Sequence, residues 1–288
     1  MTTMKAFVTR HPVATYFALT FAISWGGVLL VIGGPAGMTG VKAQDNPQFP
    51  FAVLAMLAGP SVTGLLLTAL IDGRRGLREV RSRLLKWRVG ARWYAVALPA
   101  APLLATTITL TLSLFSPELL PGIFVTDDKA AVLLLGVVVG LTAGFFEELG
   151  WTGFAIPRLK RRYGVLATGL IVGVLWSAWH LLVVIWGIGD RAGTIPLALF
   201  VVLDGLAGLP AFRVLMVWVY DRTESLLVGM LMHVSITVTT LTITPQTAGV
   251  PLLAYGLVFA AALWVVLAAV AVANSRPLSR HALRRRVA

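Results

Sequence analysis

Apolar residues run through this chain in long unbroken blocks, and polar or charged residues gather between them. Blocks at about 13–33, 50–71, 94–116, 130–157, 165–187, 195–219, 225–244 and 251–273 each reach the roughly 18 residues at which an α-helix crosses a bilayer. They lack the strict apolar–polar alternation of a membrane β-strand, which excludes a β-barrel. The pattern predicts an all-α polytopic membrane bundle of about eight transmembrane helices. No repeat, low-complexity tract or long linker divides it, so residues 1–288 read as a single integral-membrane domain. The first block, at about 21 apolar residues, exceeds a signal-peptide core and is expected to stay as a helix. Between the second and third blocks lies the cationic stretch DGRRGLREVRSRLLKWRVGARW, where Leu77, Val80, Leu84, Leu85 and Trp87 form one apolar stripe. Such a helix is expected to lie on the membrane surface, with anionic lipids as partners of the 73–92 linker.

Composition agrees with this pattern: 58% hydrophobic, 12% charged, with a mean hydropathy of +0.86. Charge adds orientation. The net charge of +12 invites a nucleic-acid reading, but its placement argues against one. With both termini cytoplasmic, all 24 Lys and Arg residues except Lys42, Lys129 and Arg191 fall on the inner side. That asymmetry is the positive-inside signature, so no nucleic-acid partner is expected and a multi-pass protein of a bacterial inner membrane is. The absence of cysteine excludes a thiol nucleophile, a disulfide framework and Cys-ligated zinc.

Inside the blocks, ionisable side chains are few: Glu147, Glu148, His180, Asp204, Arg213 and His233. Ionisable groups at membrane depth are costly and point to function. Counted from the basic ends of their helices, Glu147, His233 and His180 lie at roughly 16, 14 and 22 Å. Helix tilt of about 20° makes those depths compatible, so three helices can bring a carboxylate and two imidazoles together. Glu148–Thr152, Trp176–His180 and His233–Thr237 are i, i+4 pairs sharing a helix face. Gly140, Gly144, Gly150 and Gly153 around the glutamates permit close helix approach. Arg213 is expected to snorkel to the inner face, and Asp204 to serve structure or a polar cavity. A proton or ion path in a transporter would use the same residues, although no inverted repeat supports it. The Gly187-Ile188-Gly189-Asp190 and Tyr220-Asp221 pairs resemble aspartyl-protease motifs, but they fall at opposite membrane faces and cannot share a proton. No Gly-x-Ser-x-Gly elbow is present.

The segments FFEELGWTGF, WSAWHLL and LLVGMLMHVSIT, in that order, resemble the three motifs of the CAAX prenyl protease and bacteriocin-processing family, which includes type II CAAX endopeptidases. The family pattern is Glu-Glu-x-x-x-Arg, then Phe-x-x-x-His, then His followed four residues later by Asn or Asp. The resemblance is strongest over 130–240, read as the catalytic core, and the segment GLREVRSRLLKWRVGARWY resembles the basic linker of bacterial members. It implies an intramembrane endopeptidase acting on a membrane-associated protein or peptide. Glu147 and His180 would activate the attacking water; His233, helped by Thr237, would stabilise the oxyanion; Glu148 would orient Glu147 or carry a proton. Glu147, His180 and His233 could equally hold zinc or another divalent metal, or work without one. A non-catalytic relative with an immunity or scaffold role is the alternative within the family.

Three positions depart from the pattern: Thr152 stands for Arg, Trp176 for Phe and Thr237 for Asn or Asp. Loss of the arginine removes a counter-charge, so the two glutamates are expected to share a proton.

Overall fold

The computed structural model describes residues 3–38 and 43–274, and every regular element among them is a helix. Lys42, His281 and the basic tail fall outside the described residues, as do the side chains of Asp190 and Asp204. Seven helices are long and apolar enough to cross a membrane: Pro12–Val31, Phe49–Leu84, Ala91–Ser113, Lys129–Lys160, Val165–Gly187, Leu226–Ile243 and Gly249–Ala273. The chain is an all-α multi-pass membrane bundle.

The block at 195–219 is not the continuous span expected. It begins as Leu197–Phe200, loosens into a π-helical turn at Val201–Leu206, bends, and resumes as the helix Leu209–Thr223. Gly208 and Pro210 explain the break, since glycine weakens a helix interior and proline cannot donate to the preceding turn. The resumed helix has 15 residues, short of the ~20 that a bilayer requires. Hydropathy averages over such a break.

The Phe49–Leu84 helix is also interrupted, at two points. Pro60 has no N–H for the Met56 carbonyl one turn earlier, and the Ser24 hydroxyl of the first helix donates to that carbonyl instead, at 2.6 Å. Gly73 takes φ +62°, outside helical geometry, and turns the basic segment onto a new axis. The apolar stripe expected there is divided. Val80 is buried beside Leu149, Leu226 and Met230, whereas Leu77, Leu85 and Trp87 stay exposed.

Small residues bring the catalytic candidates together. A methyl group at Gly144 would stand 2.9 Å from the Met230 carbonyl oxygen, so the Lys129–Gly150 helix packs directly on Leu226–Ile243. At Gly150 it would meet the Pro60 carbonyl and the Tyr16 hydroxyl, each at 2.3 Å, which brings in the first two spans. Gly173 gives the same close approach between the His180 helix and Pro210, just before Arg213. Such small-residue contacts are how helices associate where burial from water drives little.

Candidate active site

Glu147 and Glu148 occupy the last turn of Lys129–Gly150, immediately before a π-helical turn at Trp151–Ala155. Both are buried, at 2% and 0% exposure. Neighbouring positions on a helix point about 100° apart, and the two carboxyls accordingly face different partners. Glu147 accepts on Oε2 from two indole N–H groups, Trp176 at 2.7 Å and Trp151 at 3.2 Å. Its Oε1 lies 3.8 Å from His233 Nε2. Glu148 accepts from Arg213 Nη1 on both oxygens, at 2.7 and 2.9 Å, and from the Thr152 hydroxyl. Its Oε1 also bonds His233 Nδ1 at 2.7 Å.

Two expectations are overturned here. Arg213 does not snorkel: it is fully buried, its guanidinium pairs with Glu148, and Cζ lies 4.0 Å from the Trp176 ring centroid. The break before Leu209 tilts this helix against Gly173, so its arginine points into the bundle. Nor do the glutamates share a proton, because no hydrogen bond joins them and Glu148 has a guanidinium of its own. The counter-charge absent at position 152 comes from another helix, 65 residues beyond Glu148. The sequence carried a signal for this: one arginine too few in the first motif and one too many inside a later apolar block.

Trp176 is the hub. Its ring meets those of His180 and His233 edge-on, with centroids at 5.2 and 5.3 Å, so it touches both imidazoles. Where a phenylalanine would only pack, the indole also supplies an N–H to Glu147. His180, half-buried, has Nδ1 2.8 Å from the Trp176 carbonyl oxygen. With that nitrogen donating, Nε2 is turned outward. Thr152 bonds Glu148 as its spacing suggested. Thr237 donates to the His233 backbone carbonyl at 3.1 Å rather than to either ring, so its hydroxyl hydrogen is spent on the helix.

The possible metal set of Glu147, His180 and His233 is not drawn together in this arrangement. Among the described residues, no group of three His, Asp or Glu side chains converges closely enough to hold an ion. The Glu147 Oε2 is covered by two N–H donors, and His233 gives Nδ1 to Glu148.

Residues 129–239 match the family model described as type II CAAX prenyl endopeptidase Rce1-like. CAAX prenyl protease 2 of Methanococcus maripaludis is 25% identical over 164 residues, covering 56% of this chain. The match spans 53% of that relative, about half its length. The matched segment contains both glutamates, both histidines, Trp176 and Arg213, and over that segment the chain is similar to type II CAAX prenyl endopeptidases.

Proposed function

We propose that this protein is an intramembrane endopeptidase that hydrolyses a peptide bond in a membrane-associated protein or peptide. The observation carrying this reading is the Glu147 carboxylate: buried, held on one oxygen by two indoles, with the other oxygen open toward His233 Nε2. A group so fixed is prepared to take a proton in one direction only. The similarity to type II CAAX prenyl endopeptidases supports peptide hydrolysis in general terms.

In the proposed reaction, Glu147 removes a proton from water as the hydroxide oxygen adds to the scissile carbonyl carbon. His180 Nε2, its tautomer set by the bond to the Trp176 carbonyl, accepts from the second water hydrogen. The carbonyl oxygen becomes an oxyanion, and Nε2–H of a protonated His233 donates to it, with the Glu148 carboxylate behind the ring. On collapse the C–N bond breaks, and the proton held by Glu147 passes to the departing nitrogen. Arg213 and Thr152 position Glu148 and through it His233. Thr237 supports the helix under His233. The substrate is expected near a lipidated end, and anionic lipids are expected to meet the 73–92 segment.

The test is cleavage of an internally quenched peptide, carrying a lipidated cysteine near its C-terminus, by the purified full chain in neutral detergent. We expect turnover that survives prolonged incubation with 1,10-phenanthroline and is not raised by added zinc. Turnover abolished by the chelator and restored by zinc would replace this mechanism with a metal-dependent one. Absence of cleavage from any lipidated or unmodified membrane peptide would favour the non-catalytic relative.

The indole makes a second prediction. Trp176→Phe keeps an aromatic ring against the imidazoles but removes the 2.7 Å donor on Glu147. Hydrogen bonds to charged groups contribute about 1.5–3 kcal/mol, so kcat should fall roughly 10–100-fold with KM little changed. A raised KM with unchanged kcat would instead make Trp176 a substrate-packing residue.

A further inference from the structure

At the basic end of the bundle, away from the glutamates, a cavity of about 690 Å³ opens between the segment after Gly73, the Ile156–Lys160 turn and the end of Leu209–Thr223. Its size falls within the roughly 300–1,000 Å³ of small-ligand sites. Six cations line it: Arg75, Arg83, Lys86, Arg158, Lys160 and Arg161. Four are balanced by carboxylates. Arg75 pairs with Glu79, Lys86 with Glu224, Arg158 with Asp72 and Lys160 with Asp221.

The other two are not balanced. Arg83 is held by neutral acceptors alone: the Tyr220 hydroxyl at 2.8 Å, the Gly153 carbonyl at 3.1 Å and the Glu79 carbonyl at 3.2 Å. Arg161, exposed at the rim, has no carboxylate partner among the described residues. A half-enclosed cavity with two uncompensated guanidiniums and the ammonium groups of Lys86 and Lys160 suits a ligand with several anionic oxygens in a compact group. Guanidinium binds such oxygens through paired N–H donors.

We infer that this cavity binds a phosphate group, carried by the headgroup of an anionic phospholipid. The cavity lies where the positive-inside pattern puts the membrane's anionic leaflet. The inference narrows the lipid contact proposed for the whole 73–92 segment to one enclosed site. Arg83 gives it a route to the catalytic turn. Pro157 withholds the N–H that an α-helical Gly153 carbonyl would accept, and Arg83 satisfies that carbonyl from the cavity wall. A bound phosphate therefore shares Arg83 with the turn that carries Thr152.

The site is tested without reference to cleavage, so its failure and that of the peptidase reading are separate results. Purified full chain in neutral detergent is titrated with phosphatidylglycerol, phosphatidylcholine or inorganic phosphate, and the thermal midpoint is followed. Phosphatidylglycerol should raise the midpoint saturably and phosphatidylcholine should not. Arg161→Gln and Arg83→Gln should each raise the half-saturating concentration about tenfold, the effect of one charge-assisted hydrogen bond. Arg78→Gln, exposed in the same basic segment but outside the cavity, should leave it unchanged. Should Arg83→Gln fail to fold because Gly153 loses its partner, the exposed Arg161 variant decides alone. A saturable response to inorganic phosphate that Arg161→Gln weakens, with none to the lipid, keeps the phosphate site and assigns it a soluble ligand. Equal weakening by Arg78→Gln and Arg161→Gln, or no response to any anion, overturns the inference.

Discussion

Replacing Glu147 with glutamine should reduce cleavage roughly 10²–10⁴-fold while the protein still inserts, folds and melts normally. The exchange is nearly isosteric. The glutamine carbonyl can still accept from Trp176 and Trp151, so the packing around the site stays intact. What disappears is the ability to take a proton from water. Single-turnover cleavage of the quenched peptide, paired with a thermal melt of the same sample, separates chemistry from folding. Activity within about tenfold of the parent would end the case for Glu147 as the base, because a positioned general base contributes roughly 10²–10⁴-fold.

Arg213→Met should have the larger effect on stability. The methionine fills part of the space but leaves Glu148 buried with no counter-charge. Breaking one partner out of a buried ion pair costs about 3–5 kcal/mol. Cleavage should fall too, since His233 takes its orientation from Glu148. The informative variant is the double one. Thr152 already bonds Glu148 from one turn away, and a methyl group added at Gly229 would meet the Thr152 methyl only at 3.6 Å, so the helix facing Thr152 is not crowded there. An arginine at 152 therefore starts on the correct side of the carboxylate. In the parent background, Thr152→Arg crowds a second guanidinium onto an acid already paired and should destabilise. In the Arg213→Met background it should restore part of both the midpoint and the turnover. The double-mutant cycle is expected to give about 1–3 kcal/mol of favourable coupling. Simple additivity would mean that Arg213 does not stand in for the missing motif residue.

Much of this site was readable from residue spacing. The apolar blocks gave the helices, the counts along them brought Glu147, His180 and His233 to similar depths, and the i, i+4 rule anticipated the Thr152–Glu148 bond. These features are local or periodic, and a chain of letters carries them. The Arg213–Glu148 pair is neither. It depends on a break near Gly208 and Pro210 that window-averaged hydropathy smooths over, and on a close approach at Gly173. Trp176 was legible as an aromatic exchange but not as a donor, because the direction of its N–H depends on the rotamer. The proline-freed carbonyls at Met56 and Gly153 were visible in principle. Their rescue by Ser24 and Arg83 was not, since the partners come from distant segments.

A counter-charge delivered from a separate helix also sets an order of events during synthesis. The two glutamates leave the ribosome well before Arg213, which follows Glu148 by 65 residues, and His233 comes later still. Until the broken helix docks against Gly173, Glu148 has no arginine and the candidate site is not assembled. Had the arginine stood four residues away on the same helix, the acid would have been balanced as soon as that helix formed. Here an incomplete or undocked chain lacks the proposed centre, which is complete only in the closed bundle.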